Sequence, residues 1–495
     1  MIISAPSPVT RQPVLLLQAV VGFFILFKLA YFIFLPPIGD EAYYWLWGQR
    51  PELSYFDHPP LHAWLLGLVS HVFGWNMFSL RVLTLCSLGG TAWIFWLWAK
   101  RIAPENNHAW CWAALAIYLG SPLFFVIGSI SFHDHLLIVL CLASGHFFLT
   151  FAEQWQSGKP GFGRLYLAAL FLGLAVLTKY NGLFLAIGYL LFIVIHASFR
   201  PLLRRWQTYA AGAISIGLQA PVIYWNVVNR FASFRFQSTN RLQQSAIDLN
   251  PGDLYWVVFT GILALSIFLV IPLLRLYYRP DGNEFERLAR FLSGLVLAIS
   301  TAVIFSLVIF AGGINGYWND LAYPLAVPLT ASTFGTRVTF WLHIVFGALL
   351  SLIFFVDFAV VPISALLGLP STTDYSNYDW PHVAAIVASA KAENPQSFLA
   401  ATRYTTAAQL AFAIHDPDVT DISERPTEFS IWFDPAAHLG QSAIILAAPF
   451  IPIDYARTQF RTVTLLQNIE IERFGYQLGS YQLYRGDGYC GGTCR

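Results

Sequence analysis

Long apolar runs recur through the first three-quarters of the chain, separated by short polar segments, and then stop. Runs of about 18 or more residues can cross the roughly 30 Å of hydrocarbon in a bilayer as helices, where every backbone polar group is bonded internally. By this rule membrane helices are expected near 13–35, 79–99, 109–127, 135–152, 165–178, 182–198, 207–227, 254–276, 289–311, 318–335 and 338–361. The apolar run 61–74 is too short to span and predicts a helix lying in the interface. From about Pro370 the pattern changes to short strand-like runs at 397–401, 442–447 and 476–484, with helical stretches at 380–393 and 404–415. The expected architecture is an all-α polytopic membrane domain over 1–365, with about eleven transmembrane helices and interfacial helices in its first outer loop, followed by a small α/β domain over 366–495.

Composition sharpens this picture. Hydrophobic residues make up 57% of the chain and aromatics 17%, and the mean hydropathy is +0.57, which excludes an ordinary soluble fold. A net charge of +1 gives no reason to expect nucleic acid, and membrane lipids are the expected surroundings. The distribution of charge says more. Arg11, Lys100 and Arg101, Lys159 and Arg164, Arg200, Arg204 and Arg205, Arg275 to Arg290, and Arg337 fall in alternate loops. The positive-inside rule then places the N-terminus in the cytoplasm. It places the 36–78, 127–134, 178–182, 228–253 and 312–317 loops, and everything after 362, on the opposite face. No small-residue cleavage site follows the first apolar run, so it reads as a retained helix. Of five cysteines, Cys86, Cys111 and Cys141 lie in apolar runs. Cys490 and Cys494 suit either a small disulfide in an oxidising compartment or an unpaired tail detail.

Charged residues are only 11% of the chain, so an acidic pair beside a greasy segment asks for a reason. The first outer loop carries Asp40 and Glu41, then Tyr55, Asp57 and His58 before Pro59 and Pro60; later outer loops carry Asp134, Lys179, Tyr180, Arg235, Arg241 and Trp318. Polar groups at the membrane edge are costly against lipid, so a shared hydrophilic cavity is the economical arrangement. Transfer of a sugar from a lipid phosphate needs cations to hold the phosphate and a carboxylate to accept the acceptor's proton. Asp40 suits the base, and Lys179 with the loop arginines suits the phosphate. No metal is required by this chemistry, and the alternating His133 and His135 are a weak metal motif. Each residue also has a structural reading. Asp40, Glu41 and Asp134 suit helix N-termini, Lys179 suits a snorkelling helix end, and Trp318 suits an interface belt.

In this order the motifs carry a resemblance. Asp-Glu-Ala-Tyr-Tyr-Trp at 40–45 followed by Tyr-Phe-Asp-His-Pro-Pro-Leu at 55–61 resembles the first periplasmic loop of GT-C glycosyltransferases. The nearest groups are the protein O-mannosyltransferase-like superfamily and the bacterial enzymes that decorate lipid A and lipopolysaccharide core. Segments 131–137, 177–182, 231–241, 316–324 and 425–432 also look like this superfamily. The resemblance implies Asp40 as catalytic base, Asp134 as a second acid, Lys179 and Arg241 as donor-phosphate ligands with Arg235 behind them, and Glu41, Tyr55, Asp57, His58, Tyr180 and Trp318 as further donor or acceptor contacts. His58 stands where the lipid A aminoarabinose transferases have a lysine, which favours a pattern similar to the rhizobial dodecaprenyl-phosphate galacturonosyltransferases. The implied protein is an inverting transferase of the bacterial inner membrane, its active site periplasmic, its donor a polyprenyl-phosphate sugar and its acceptor an envelope glycolipid, with no obligatory cofactor. A protein O-mannosyltransferase is the nearest rival. A lipid-linked sugar transporter is the rival from another class, but its charges belong at mid-membrane in repeated helices.

Overall fold

Among the described residues of the computed structural model, five helices are long and apolar enough to cross a bilayer: Val14–Phe34, Met77–Ile102, His133–Gln156, Glu284–Val308 and Arg337–Val360. Three bent pairs pass the same test together. Tyr180–Ile195 turns by 106° into Ala197–Arg204, Trp206–Gly217 by 46° into Ala220–Val228, and Leu254–Leu265 by 89° into Ile267–Tyr278. The breaks have local causes. His196 is extended (φ −80°, ψ 105°) in the first, Pro221 begins the helix after the second, and Ser266 sits at φ 91° in the third. The chain is a multi-pass membrane protein. The structure describes residues 7–240, 251–311, 316–369, 374–448, 450–451, 453–492 and 494.

The chain divides into two compact units. The first comprises Met1–Leu29, His58–His62 and Arg81–Ser351. Its helices carry exposed large apolar residues such as Leu26, Trp93 and Ile216, as lipid-facing surfaces do. Backbones approach closely where residues are small: a Cβ on Gly347 would fall 1.8 Å from the Gly120 carbonyl oxygen, so only glycine permits that crossing. One predicted span is corrected. The stretch 318–335 is not a membrane helix but two 3₁₀ segments, Gly316–Ala322 and Pro328–Ser332, interrupted around Pro324 and Pro328. It is apolar because it is core: Leu321, Leu325, Val327 and Leu329 are buried, and Ser332 accepts a hydrogen bond from the Trp110 indole at 3.2 Å. The stretch 109–127 is likewise two helices, Asn107–Leu119 and Pro122–Ile127, broken at Gly120–Ser121 before Pro122.

The second unit comprises Ala30–Asp57, Ala63–Leu80 and Leu352–Arg495. Its sheet has five strands: β1 Phe398–Ala401, β2 Thr420–Asp421, β3 Ala443–Ala447, β4 Phe460–Arg473 and β5 Tyr476–Tyr489, in the order β2-β1-β3-β5-β4. The two pairs formed by β1 are parallel, and β5 runs antiparallel to both β3 and β4. Every residue of β3 is buried, as expected of a central strand covered on both faces. The expected helices are present as Trp380–Glu393 and Tyr404–Ile414. Cys490 and Cys494 form a disulfide.

The first loop folds with the tail in this unit. Helix Gly39–Gln49 lies on helix Tyr404–Ile414, with Trp45 edge-on to Phe412 at 5.5 Å and Gln409 donating to the Pro37 carbonyl at 3.1 Å. Contact is closest at Gly39, where an added Cβ would lie 2.6 Å from that of Thr405. Helix Leu61–Phe73, the expected interfacial segment, crosses Gly39–Gln49 at the Gly48 and Gly67 pair, where neither residue has room for a side chain.

Candidate active site

Asp40 is the second residue of helix Gly39–Gln49 and is half-buried. The Tyr404 hydroxyl donates to its Oδ1 at 3.0 Å. Burial raises the Asp40 pKa above the usual carboxylate range, opposed by this hydrogen bond and by the Arg403 and Arg425 guanidiniums. Arg425 lies over the Tyr404 ring, 5.0 Å from its centroid, and Arg403 over the Phe450 ring at 5.0 Å. Asp57 adds its charge to the field felt by Arg425, Tyr404 and Tyr43. Below this group Glu428 is fully buried and accepts from the Phe56 amide at 2.5 Å, while its own amide donates to the Tyr43 hydroxyl at 2.8 Å. Burial holds the Glu428 carboxyl well above its ordinary pKa. The arrangement is a half-buried carboxylate with cations near enough to favour its charged form.

In the first unit the structure brings together residues far apart in sequence. Lys179 pairs with Asp134, both largely buried. Asp320, fully buried, belongs to the same cluster and accepts from the Leu321 amide at 2.8 Å. Four histidines collect beside them: the His58 ring is 4.3 Å from His133, and His62 is 4.7 Å from His133 and 5.4 Å from His135. Ser87 shares a hydrogen bond of 2.8 Å with His135 Nδ1. The Tyr180 hydroxyl meets Ser233 at 2.8 Å, which ties the Lys179 turn to the short helix ending at Arg235, itself exposed. Among the described residues, no three His, Cys, Asp or Glu side chains converge as a metal site.

Three of the expected contacts also have partners within the fold. Glu41 is fully buried, and its carboxylate accepts from the Ile38 amide at 3.1 Å, closing the start of the helix. Tyr55 is also buried, stacked on Trp47 at 4.6 Å with its hydroxyl donating to the Trp47 carbonyl at 2.8 Å. Trp318 packs against Val257, Ile304 and Val308. Arg241 lies outside the described residues.

Known proteins resemble this chain in sequence and fold. Residues 57–225 fit the family described as dolichyl-phosphate-mannose-protein mannosyltransferase. The lipid A galacturonosyltransferase RgtD of Rhizobium johnstonii is 24% identical over 305 residues, which is 61% of this chain and 60% of that protein. Among solved structures, ArnT from Cupriavidus metallidurans bound to undecaprenyl phosphate superposes with a TM-score of 0.62 over 95% of this chain and 97% of its own, at 15% identity. Its apo form gives 0.55 over 94% and 98%. The chain has the GT-C fold.

The GT-C fold was legible from the first loop, but Tyr404, Arg403 and Arg425 were not foreseen as neighbours of its aspartate. The one available signal was the 425–432 stretch, which carries Arg425. A direct test follows from the Tyr404 hydrogen bond. That bond favours ionised Asp40, so Tyr404→Phe is expected to raise the Asp40 pKa further and move the acidic limb of the kcat/KM profile up by about one pH unit. A limb that stays in place would remove Tyr404 from any role in setting the base.

Proposed function

We propose that this chain is an inverting glycosyltransferase of the bacterial inner membrane. It takes a sugar from a polyprenyl-phosphate carrier and passes it, on the periplasmic face, to lipid A, lipopolysaccharide core or another envelope glycolipid. The N-terminus is then cytoplasmic and the sheet-bearing unit periplasmic. The observation that carries the reading is the Asp40 carboxylate, placed just after the first membrane helix and held by the Tyr404 hydroxyl. The likeness to RgtD and ArnT supports it.

In the step itself the acceptor oxygen bonds to the anomeric carbon as the bond from that carbon to the phosphate oxygen breaks. The hydroxyl proton passes to Asp40, and the polyprenyl phosphate leaves with the bonding pair, so the anomeric configuration inverts. Lys179 and Arg241 are assigned to the phosphate, whose growing charge a fixed cation stabilises. Asp134, His58, Asp57, Tyr180 and Arg235 are assigned to orienting donor or acceptor. The phosphate is an adequate leaving group once neutralised, so the proposal calls on no further cofactor.

The family match over 57–225 favours one second reading, a protein acceptor with Ser or Thr hydroxyls. Incubating the purified, lipid-reconstituted protein with a labelled polyprenyl-phosphate sugar and either lipid A or Ser/Thr peptides separates the two. Label is expected in the glycolipid fraction. Label in peptide alone replaces the acceptor, and label in neither removes the transferase reading.

A further inference from the structure

The hairpin that joins β4 to β5 carries an unexpected residue at its tip. Arg473 pairs with Tyr476, leaving a two-residue turn of Phe474 and Gly475, both with positive φ, at 50° and 80°. Such turns match the twist of the strands and favour Asn-Gly, because a side chain in the left-handed region crowds its own backbone. A phenylalanine there is strained. It is also 70% exposed, so packing within the unit does not account for it. A bulky apolar side chain held out at a position that disfavours it points to a contact outside the protein.

The place of the tip indicates what that contact is. Arg473 Nε donates to the Val360 carbonyl at 3.1 Å, and Val360 ends the membrane-crossing helix Arg337–Val360. The tip therefore lies beside the end of that helix. Just beyond the helix end, Leu366, Leu367 and Leu369 are exposed at 45%, 66% and 57%. Behind the tip the strands turn polar at once, with Glu470 and Glu472 exposed to water and Gln477 donating to Glu470 at 3.0 Å. Arg473 lies over the Phe474 ring at 5.1 Å, an aromatic–cation pair suited to the headgroup layer.

The geometry points to a membrane anchor: Phe474, supported by Tyr476 and the Leu366–Leu369 turn, dips into the interface of the same bilayer that Arg337–Val360 crosses. The partner is the lipid surface itself, and the hairpin is a further attachment of the sheet-bearing unit besides the chain crossings that join it to the membrane helices. This inference does not depend on the transferase reading.

The test is nitroxide depth measurement on the full chain in nanodiscs of phosphatidylethanolamine and phosphatidylglycerol, in a Cys86→Ser background. Labels go at Tyr476→Cys, which keeps Phe474, and at Leu439→Cys. Leu439 is similarly exposed but lies next to the opposite end of the hairpin, since Gly440 donates to the Tyr489 carbonyl. At about 3.3 Å per residue, that end is roughly 40 Å from the tip. The 476 label is expected to collide several-fold more with oxygen than with a water-soluble nickel chelate, and the 439 label the reverse. Adding Phe474→Asp is expected to turn the 476 label towards the chelate. Equal, water-like accessibility at 476 and 439 overturns the proposal. So does a large fall in Tm for Phe474→Asn in detergent, because asparagine suits the turn and only a structural Phe474 would be missed there.

Discussion

Asp40→Asn is expected to lower sugar transfer about a thousandfold, within the range general-base removal typically costs, while leaving the protein folded. The amide has nearly the size of the carboxyl and its oxygen still accepts from Tyr404, so the contact between helix Gly39–Gln49 and helix Tyr404–Ile414 survives. What is lost is the ability to take a proton at the moment the acceptor oxygen attacks. Because burial raises the native Asp40 pKa, the wild-type enzyme should lose activity on acidification at a higher pH than an ordinary carboxylate would. The asparagine variant should show no such limb. Single-turnover transfer, with Tm and detergent gel filtration as controls, measures both. Near-normal turnover by a folded variant takes Asp40 out of the base role.

Lys179→Met is expected to do two separable kinds of damage. Asp134, Asp320 and Lys179 form one buried cluster, and removing its cation leaves Asp134 charged without its partner. Breaking a buried pair from one side costs about 3–5 kcal/mol, so Tm should fall markedly. Adding Asp134→Asn removes the stranded charge and is expected to restore most of the lost stability. Activity should not return with it, because the proposed phosphate ligand is still missing. Recovery of turnover in the double variant would mean that Lys179 serves only to neutralise Asp134, and that the phosphate is held elsewhere.

These residues also mark how far the sequence could be read. The multi-pass architecture was visible because span length and lysine–arginine placement are written locally and repeat. The Asp134–Lys179 pairing was within reach because both residues fall at ends of apolar helices, where a stray charge is expensive. Segment 318–335 misled for a definite reason: apolarity records burial, and buried 3₁₀ core carries the same signal as a lipid-facing helix. Strand β4 was missed because it is an edge strand, exposed along most of its length and lacking the alternation that marks a half-buried one. Glu41 and Tyr55, expected as substrate contacts, also hold the Asp40 helix, one by closing its start and the other by stacking on Trp47. Tyr404 and Arg425 lie hundreds of positions from Asp40, and no local rule connects them.

The missing Cβ at Gly39 has a practical corollary for anyone building chimaeras. The proposed base follows immediately after the point where its helix touches Thr405 at backbone range, so the loop and the tail were shaped against each other. A tail borrowed from a relative, with any bulkier surface at that spot, would shift the acid even if every membrane helix stayed native. Exchanges should therefore cut at residues 30, 57, 63, 80 and 352 and move all three pieces together.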